Sequence, residues 1–187
     1  MEEIDLYLEE AKDLMDKAVE HTRQEFSRIR AGKAMPSMLD GLKVDYYGAP
    51  TPINQVASIN TPDAKSIVIK PFEKKMVGEI ERAIINSDLG LNPQNDGELI
   101  RLNIPPLTEE RRRELVKAVK HEGENGKISI RNVRKDVLNH LKKLLKDGDV
   151  SEDDEKKAES EVQEITDQHV TKIDELVKKK EEEIMTV

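Results

Sequence analysis

The residues best suited to a chemical task lie in one basic segment, residues 108–146. This segment contains twelve lysine and arginine side chains and six carboxylates, although the whole chain has 31 basic and 39 acidic residues and a formal charge of −8. Near its middle, Arg131 and Arg134 flank the sequence Asn-Val. A guanidinium can bind phosphate through two hydrogen bonds and can stack on a base. The segment is therefore a candidate face for nucleic acid, and on an acidic protein such a face would be selective.

Helical geometry groups the central cations of this segment. Four of them fall on a common side of a helix with 3.6 residues per turn: Lys127, Arg131, Arg134 and Lys135. The apolar residues Ile130, Val133 and Val137 define the side that would be buried. Because neither a helix-turn-helix nor an aromatic RNP motif is visible, DNA is not expected, and RNA is preferred by a small margin.

The charge pattern also has an intramolecular explanation. Residues 1–31 carry five basic and nine acidic groups, and residues 147–187 carry six and fifteen. Oppositely charged helices attract one another within a bundle, so the basic segment could simply pair with its acidic neighbours. On charge alone, this pairing is the simpler account. It would make the protein a structural adaptor, with no salt-dependent binding to nucleic acid.

Catalytic and metal chemistry find little support. The chain has no cysteine, which excludes disulfides, thiolate chemistry and Cys-ligated zinc. Its four histidines lack HExxH spacing, so His121 and His140 are expected to be surface or boundary residues, and no nucleotide-binding glycine motif is present. Carboxylate pairs such as Asp153 and Asp154 suit the start of a helix. We therefore expect no cofactor, no metal site and no enzymatic activity.

Three long amphipathic helices are predicted to position the basic segment. The first spans residues 2–31 and should end near Ala31, before Gly32 and Pro36. The second spans 108–146 as one helix, although Gly123 and Gly126 each cost roughly 1 kcal/mol relative to alanine. The third begins after Ser151, where Asp154 completes a pattern like a capping box. The apolar positions of the first and third predicted helices are Ile4, Leu8, Ala11, Met15, Ala18, Thr22, Phe26 and Ile29, then Ala158, Val162, Ile165, His169, Ile173, Leu176 and Ile184. Their compatible stripes predict a three-helix bundle.

A different texture occupies the intervening residues, which contain all eight prolines. Strands are predicted at 42–46, 53–59, 66–69 and 99–104, and a helix at 75–86. The predicted fold class is therefore α+β: residues 1–31 and 107–187 form the bundle, and residues 32–106 form an inserted β/α/β domain. The chain would leave and re-enter the bundle through two adjacent segments, which predicts a hinge. Its expected residues are Ala31, Gly32, Ile104, Pro105 and Pro106.

No apolar run approaches the roughly 20 residues of a membrane span, and the N-terminus is acidic, unlike a targeting peptide. We therefore expect a soluble intracellular protein that does not act at a membrane.

Four segments resemble the bacterial ribosome recycling factor family: DYYGAPTP at 45–52, SDLGLNP at 87–93, PPLTEERR at 105–112 and RNVR at 131–134. The likeness extends in order over essentially the whole chain. It implies an L-shaped monomer with the dimensions of tRNA, in which a β/α/β domain swings on a two-strand hinge beside a three-helix bundle. It further implies a cytoplasmic protein that binds the large (50S) ribosomal subunit after termination. With elongation factor G and GTP it would split the subunits, the partner being the GTPase.

The resemblance also assigns residues. Arg131 and Arg134 match arginines at the bundle end near the hinge that contact large-subunit rRNA, and Arg30 matches another such position. Lys33 stands where relatives usually have arginine, which keeps the charge but not the bidentate geometry. The expected rRNA-binding set is Arg30, Lys33, Lys127, Arg131, Arg134 and Lys135. The inserted domain is expected to face elongation factor G. Because Arg131 lies about 30 Å of helical rise from the start of its helix, its distance from the hinge stays open.

Overall fold

The computed structural model describes residues 2–186 and divides into two compact units. Unit 1 contains the described residues up to Arg30 together with Glu109–Thr186, and unit 2 contains Ala31–Thr108. Unit 1 is a bundle of long helices, and unit 2 contains short strands and helices. The predicted α+β class, a helical bundle with a small second domain, is confirmed.

The elements follow one another in this chain order: α1 (Glu2–Arg28), a 3₁₀ turn (Pro36–Leu39), β1 (Lys43–Tyr46), β2 (Ala49–Pro52), α2 (Ile53–Val56), β3 (Ala57–Asp63), β4 (Ser66–Pro71), a second 3₁₀ turn (Lys74–Met76), α3 (Val77–Ile85), β5 (Pro93–Asn95), β6 (Ile100–Asn103), α4 (Glu109–Asp147) and α5 (Glu152–Thr186).

Helix α1 buries one apolar stripe, as its sequence predicts. The buried residues are Ile4, Leu8, Ala11, Met15, Val19, Thr22 and Phe26. Ala18, which was predicted for this stripe, is half-buried and packs against the same core, while its larger neighbour Val19 takes the fully buried position. The helix also ends earlier than predicted. The N–H of Ile29 bonds to the carbonyl of Phe26 at 3.1 Å, a tight final turn after which the chain leaves the helix.

Helix α4 is continuous over 39 residues, and its two internal glycines lie buried at helix contacts. A Cβ at Gly123 would lie 2.5 Å from Cγ2 of Val177 in α5. At Gly126 it would overlap the hydroxyl of Thr22 in α1 and lie 3.1 Å from Cδ1 of Ile173 in α5. The helices can approach this closely because the glycines have no side chain. Close packing thus offsets the low helix propensity that made an unbroken helix doubtful from sequence.

At both ends of α5, a side chain forms a hydrogen bond with a backbone group of the terminal turn. At its start, the Ser151 hydroxyl accepts the backbone N–H of Asp154 at 3.2 Å and donates to the Asp154 carboxylate at 2.7 Å. The predicted N-cap is therefore confirmed. The Asp154 carboxylate, however, binds the Ser151 hydroxyl, whereas in a capping box it would bind the Ser151 backbone N–H. At the other end, Nη1 of Arg112 in α4 donates to the carbonyl of Ile184 at 2.6 Å. This bond ties the last turn of α5 to the first turns of α4.

Unit 2 contains two antiparallel sheets. Strands β1 and β2 form a hairpin, and the other four strands are ordered β3-β4-β6-β5. Helix α3 buries Val77, Ile80 and Ile84. The core also includes fully buried residues from the strands: Val44, Ile67, Ile69, Ile100 and Leu102.

Three details of unit 2 differ from the sequence prediction. The segment predicted as a strand over 53–59 begins with the helical turn α2, and the strand follows it at Ala57. Strands β2 and β5 were not predicted, because prolines interrupt them. β5 is an edge strand, and β2 pairs only with β1 within the described chain. Each strand therefore has an unpaired side, where a proline can be accommodated without the loss of a hydrogen bond between strands. Helix α3 is shorter than predicted, because residues 74–76 form a 3₁₀ turn.

Candidate nucleic-acid interface

The structure separates the four central cations of α4 into two pairs. Arg131 and Lys135 are exposed, whereas Lys127 and Arg134 are half-buried beside α5. Positions 127 and 134 are two turns apart and adjoin the buried position Ile130, so α5 covers them. The four cations, which were predicted on a common side of the helix, therefore differ in exposure, and Arg134 is only partly on the exposed face where it was expected.

The two half-buried cations have different partners. Nζ of Lys127 forms an ion pair with Oδ1 of Asp174 in α5. Nη1 of Arg134 instead donates to the neutral Oε1 of Gln163 at 3.0 Å, and the Gln163 amide donates to Asp167 at 2.8 Å. Nε of Arg134 is enclosed and has no hydrogen-bond partner among residues 2–186. Arg134 is thus oriented by α5 without being neutralised through a direct carboxylate contact.

Arg131 forms an ion pair within its own helix. Its Nη1 lies 2.9 Å from Oε1 of Glu124, and the two side chains are 49% and 54% exposed. An ion pair this exposed contributes little, about 0–1 kcal/mol. A phosphate can therefore compete with Glu124 for the guanidinium at small cost.

Intramolecular pairing accounts for only part of the positive charge of α4. Lys127 pairs with Asp174, and Lys120 lies 3.9 Å from Glu181, so both lysines contact acidic residues of α5. For these two residues the pairing alternative is right. Arg131 contacts no acidic residue of α1 or α5 through a described ion pair.

Further cations extend the exposed row on α4. Lys117, Lys142 and Lys146 are exposed, share the side of α4 that carries Arg131 and Lys135, and form no ion pair in the part of the chain that the structure describes. They were not included in the predicted site. Their spacing could have found them, because Lys142 follows Lys135 by seven residues, or two turns. We call the exposed set Lys117, Arg131, Lys135, Lys142 and Lys146 the α4 cation row.

The structure gives the position of the arginines along α4, which the sequence left open. Arg131 is 22 residues beyond Glu109, where α4 begins, which corresponds to about 33 Å of rise. The position along α4 that the sequence left open is therefore far from the start of the helix for both Arg131 and Arg134. Arg30 is exposed just beyond α1, whose residue Phe26 packs near Gly123. Arg30 and Arg131 thus mark different levels of the bundle. Lys33 is exposed and belongs to unit 2.

The residues predicted for the hinge fall into two groups. Ala31 and Ile104 are buried, and the N–H of Ile104 donates to the carbonyl of Lys65 at 2.7 Å. Pro105 and Pro106 are exposed. Ile104 is therefore held in unit 2, Ala31 is the buried first residue of that unit, and the prolines lie beyond the attachment of Ile104.

The two connecting segments meet at Gly32. This residue has a φ of 71°, and a Cβ on it would lie 2.5 Å from Cγ of Leu107. Both the left-handed backbone and the close side chain thus require glycine at this position.

A pair between a buried histidine of α5 and an exposed aspartate of α1 was not anticipated. Nδ1 of His169 lies 2.7 Å from the carbonyl oxygen of Ile165, and Nε2 lies 2.7 Å from Oδ1 of Asp16 in α1. The hydrogen bond from His169 holds the pKa of Asp16 below its usual range, and Lys172 acts in the same direction. The buried location of His169 was predicted from its helical spacing, whereas its partner on another helix could not be.

Among residues 2–186 we find no group of three or more histidine, aspartate or glutamate side chains arranged to hold a metal ion. No helix in the same range combines the length and apolar character that crossing a membrane requires.

Comparison with known proteins shows the family to which the chain is related. The sequence model of the family described as ribosome recycling factor matches residues 22–185. The chain is 58% identical to the ribosome-recycling factor of Amoebophilus asiaticus and 57% identical to that of Cytophaga hutchinsonii, in both cases over the full length of both proteins. The chain belongs to the ribosome recycling factor family.

Solved structures of ribosome recycling factors share the fold. A solution structure of a ribosome recycling factor matches with a TM-score of 0.75 and 37% identity, covering all of both chains. A second match has a TM-score of 0.61 and 45% identity, covering 97% of this chain and 98% of the other. It is described as models of the T. thermophilus ribosome recycling factor and the E. coli elongation factor G bound to the E. coli post-termination complex.

Proposed function

We propose that this protein binds the large ribosomal subunit after termination and, with elongation factor G and GTP, splits the post-termination complex. This role is supported by the 58% identity, over the full length, to a ribosome-recycling factor. It is also supported by the similar ribosome recycling factor that is described as bound with elongation factor G to a post-termination complex. The observation that carries the proposal is the α4 cation row, an exposed positive stripe on an otherwise acidic protein.

The proposed anchoring uses charge. Five exposed cations on one side of a helix can follow an RNA backbone and release counterions as they neutralise phosphates. Arg131 adds a planar guanidinium that can bind a phosphate bidentately or stack on a base. Arg134, oriented by Gln163, would present its remaining donors beside this row. Arg30 and Lys33 would add contacts elsewhere on the subunit.

Splitting would be mechanical. We propose that unit 1 is anchored on rRNA while elongation factor G displaces unit 2, so that the stiff helices transmit the displacement to inter-subunit contacts. The connection would bend beyond the attachment of Ile104, at Pro105 and Pro106, whose fixed φ angles limit its freedom. Gly32 would permit the movement on the other connecting segment.

No chemical step is assigned to this chain. We propose that GTP hydrolysis belongs entirely to elongation factor G, because this sequence contains no phosphate-binding glycine motif. The proposed site of action is the cytoplasm, where the post-termination ribosome is found, and the proposed working form is a monomer.

The alternative is a structural adaptor whose basic helix pairs only with its own acidic helices. The contacts of Lys120 and Lys127 with α5 favour it. It predicts that exposed charges on α4 have no role in ribosome binding.

Three charge variants separate the two functions by equilibrium binding to 50S subunits. Arg131→Gln should weaken binding, and Glu124→Gln should strengthen it, because the second change removes a repulsive carboxylate and releases Arg131. Arg23→Gln is the matched control, since Arg23 forms a similarly exposed pair with Glu20 on α1. If all three variants bind like the unmodified protein, rRNA anchoring by this face is refuted.

A further inference from the structure

The hairpin of unit 2 has an unusual residue at its tip. The β1–β2 register pairs Tyr46 with Ala49, which leaves Tyr47 and Gly48 as a two-residue turn. Both have positive φ, at 49° and 86°, as a type I′ turn requires. Such turns favour asparagine followed by glycine. Within residues 2–186, Tyr47 is the one non-glycine residue with positive φ.

A network of hydrogen bonds holds this turn in a defined arrangement. The hydroxyl of Tyr47 donates to Oε2 of Glu73 at 2.7 Å, and the hydroxyl of Tyr46 donates to Oε1 at 2.8 Å. The two rings meet edge to face, with centroids 4.7 Å apart. The Asp45 carboxylate accepts the N–H of Gly48 at 2.7 Å. Both aromatic rings and the carboxylate are therefore organised before any partner arrives.

Burial does not explain a tyrosine at this position. Tyr47 is 72% exposed, so its ring contributes little to the core. The left-handed conformation costs a residue with a Cβ roughly 1–2 kcal/mol. An exposed aromatic residue kept in a strained conformation is a feature of binding surfaces, where rigid tyrosines lose little entropy on contact.

We propose that Tyr46, Tyr47 and Glu73 form a docking site for an arginine side chain of a protein partner. Each Glu73 oxygen accepts one tyrosine hydroxyl and keeps a second lone pair, so the carboxylate can still receive the two parallel donors of a guanidinium. The exposed ring of Tyr47, fixed to the same carboxylate, offers a face on which the guanidinium can stack. Arginine fits this combination better than lysine, which has no planar fork.

The charge of Glu73 favours a protein partner over RNA. The hydrogen bonds from Tyr47 and Tyr46 hold the pKa of Glu73 below its usual range, and the nearby Lys75 acts in the same direction, so the carboxylate is charged at neutral pH. A fixed negative charge between two rings repels a phosphate backbone. It attracts a guanidinium, and the site is accordingly distinct in chemistry from the α4 cation row.

The test rests on the proposed function, because the candidate partners are the proteins of a purified splitting reaction with post-termination ribosomes, elongation factor G and GTP. Tyr47→Asn is the decisive variant, since asparagine suits the type I′ turn while the ring and hydroxyl are removed. Hydrogen exchange of the β1–β2 amides should show an intact hairpin. Half-maximal splitting should nevertheless require at least about tenfold more protein, a loss that corresponds to about 1.4 kcal/mol. Glu73→Gln should show a loss of the same order.

Tyr47→Asn with an intact hairpin and unchanged splitting would overturn the docking site. If the unmodified protein itself fails to split ribosomes, the proposed function fails instead, so the two failures are distinguishable. Gln94→Ala, an exposed change on β5, serves as the control and should leave splitting unchanged.

Photo-cross-linking identifies the class of partner. A benzoylphenylalanine at the exposed position Ala49, beside the turn, should form a protein adduct in the same purified reaction, whereas the probe at Gln94 should not. An RNA adduct from Ala49, or no adduct from a variant that still splits ribosomes, would contradict docking to a protein.

Discussion

Replacing Gly126 with alanine should destabilise the helical bundle, although alanine favours a helix more than glycine does. In an open helix the change would stabilise by about 1 kcal/mol. At Gly126, the added Cβ would overlap the hydroxyl of Thr22 and lie 3.1 Å from Cδ1 of Ile173. Thr22 is buried, and its hydroxyl donates to the carbonyl of Ala18 at 2.9 Å, so it cannot move without losing this bond.

The magnitude follows from these opposing effects. Overpacking a well-packed core costs about 1–3 kcal/mol, and a lost hydrogen bond costs about 1 kcal/mol more. After the gain in helix propensity of about 1 kcal/mol, the bundle should lose about 1–3 kcal/mol. Denaturant unfolding monitored by hydrogen exchange of α4 and α5 amides measures this loss separately from unit 2, whose unfolding need not coincide with that of the bundle.

Two control substitutions isolate the propensity effect. Ala118→Gly, at an exposed position of α4, should destabilise the bundle by about 1 kcal/mol through propensity alone. Gly78→Ala, in α3 where a Cβ would meet nothing within 4 Å, should stabilise unit 2. A Gly126→Ala protein as stable as the unmodified protein, or more stable, would refute the close-packing explanation.

Three further predictions concern other parts of the chain. Burial, aided by Glu159, raises the pKa of Glu155, so the folded state is stabilised by this residue only at low pH, and that stabilisation is lost as pH rises. Glu155→Gln removes the buried charge and should therefore raise the melting temperature at neutral pH. Below the ordinary glutamate pKa the substitution should have no effect. Ser151→Ala removes the cap of α5 and should cost about 1 kcal/mol in thermal unfolding. Replacing both Pro105 and Pro106 with glycine should leave 50S binding intact but impair splitting, and normal splitting would reject their hinge role.

Local rules predicted much of the fold. Spacings of three and four residues identified the buried stripes of α1 and α5, and the Ser151 cap follows from side-chain chemistry that acts within one turn. The same rules failed where contacts between residues far apart in the sequence determine which residue type a position requires. The sequence shows Gly123 and Gly126 as helix-weakening residues, whereas their value lies in contacts with residues about 50 and 100 positions away.

The candidate site was predicted in composition but not in arrangement. The sequence identified Arg131 and Arg134 as leading cations, yet only packing shows that α5 covers part of Arg134 and leaves Arg131 exposed. The ion pair of Lys127 with Asp174 likewise depends on the register between two helices. The Tyr47 conformation was hidden for a different reason, since a Tyr-Gly turn does not carry the usual Asn-Gly signal.

The salt dependence of 50S binding tests the central claim most directly. If the five cations of the α4 cation row contact rRNA phosphates, the logarithm of the binding constant should fall linearly with the logarithm of the salt concentration. Each contact contributes a slope of about −0.7 to −0.9, so a fourfold rise in salt should weaken binding by about 100- to 500-fold. Arg131→Gln should reduce the slope by about 1. Binding that is absent, or that does not change with salt, would contradict anchoring by α4.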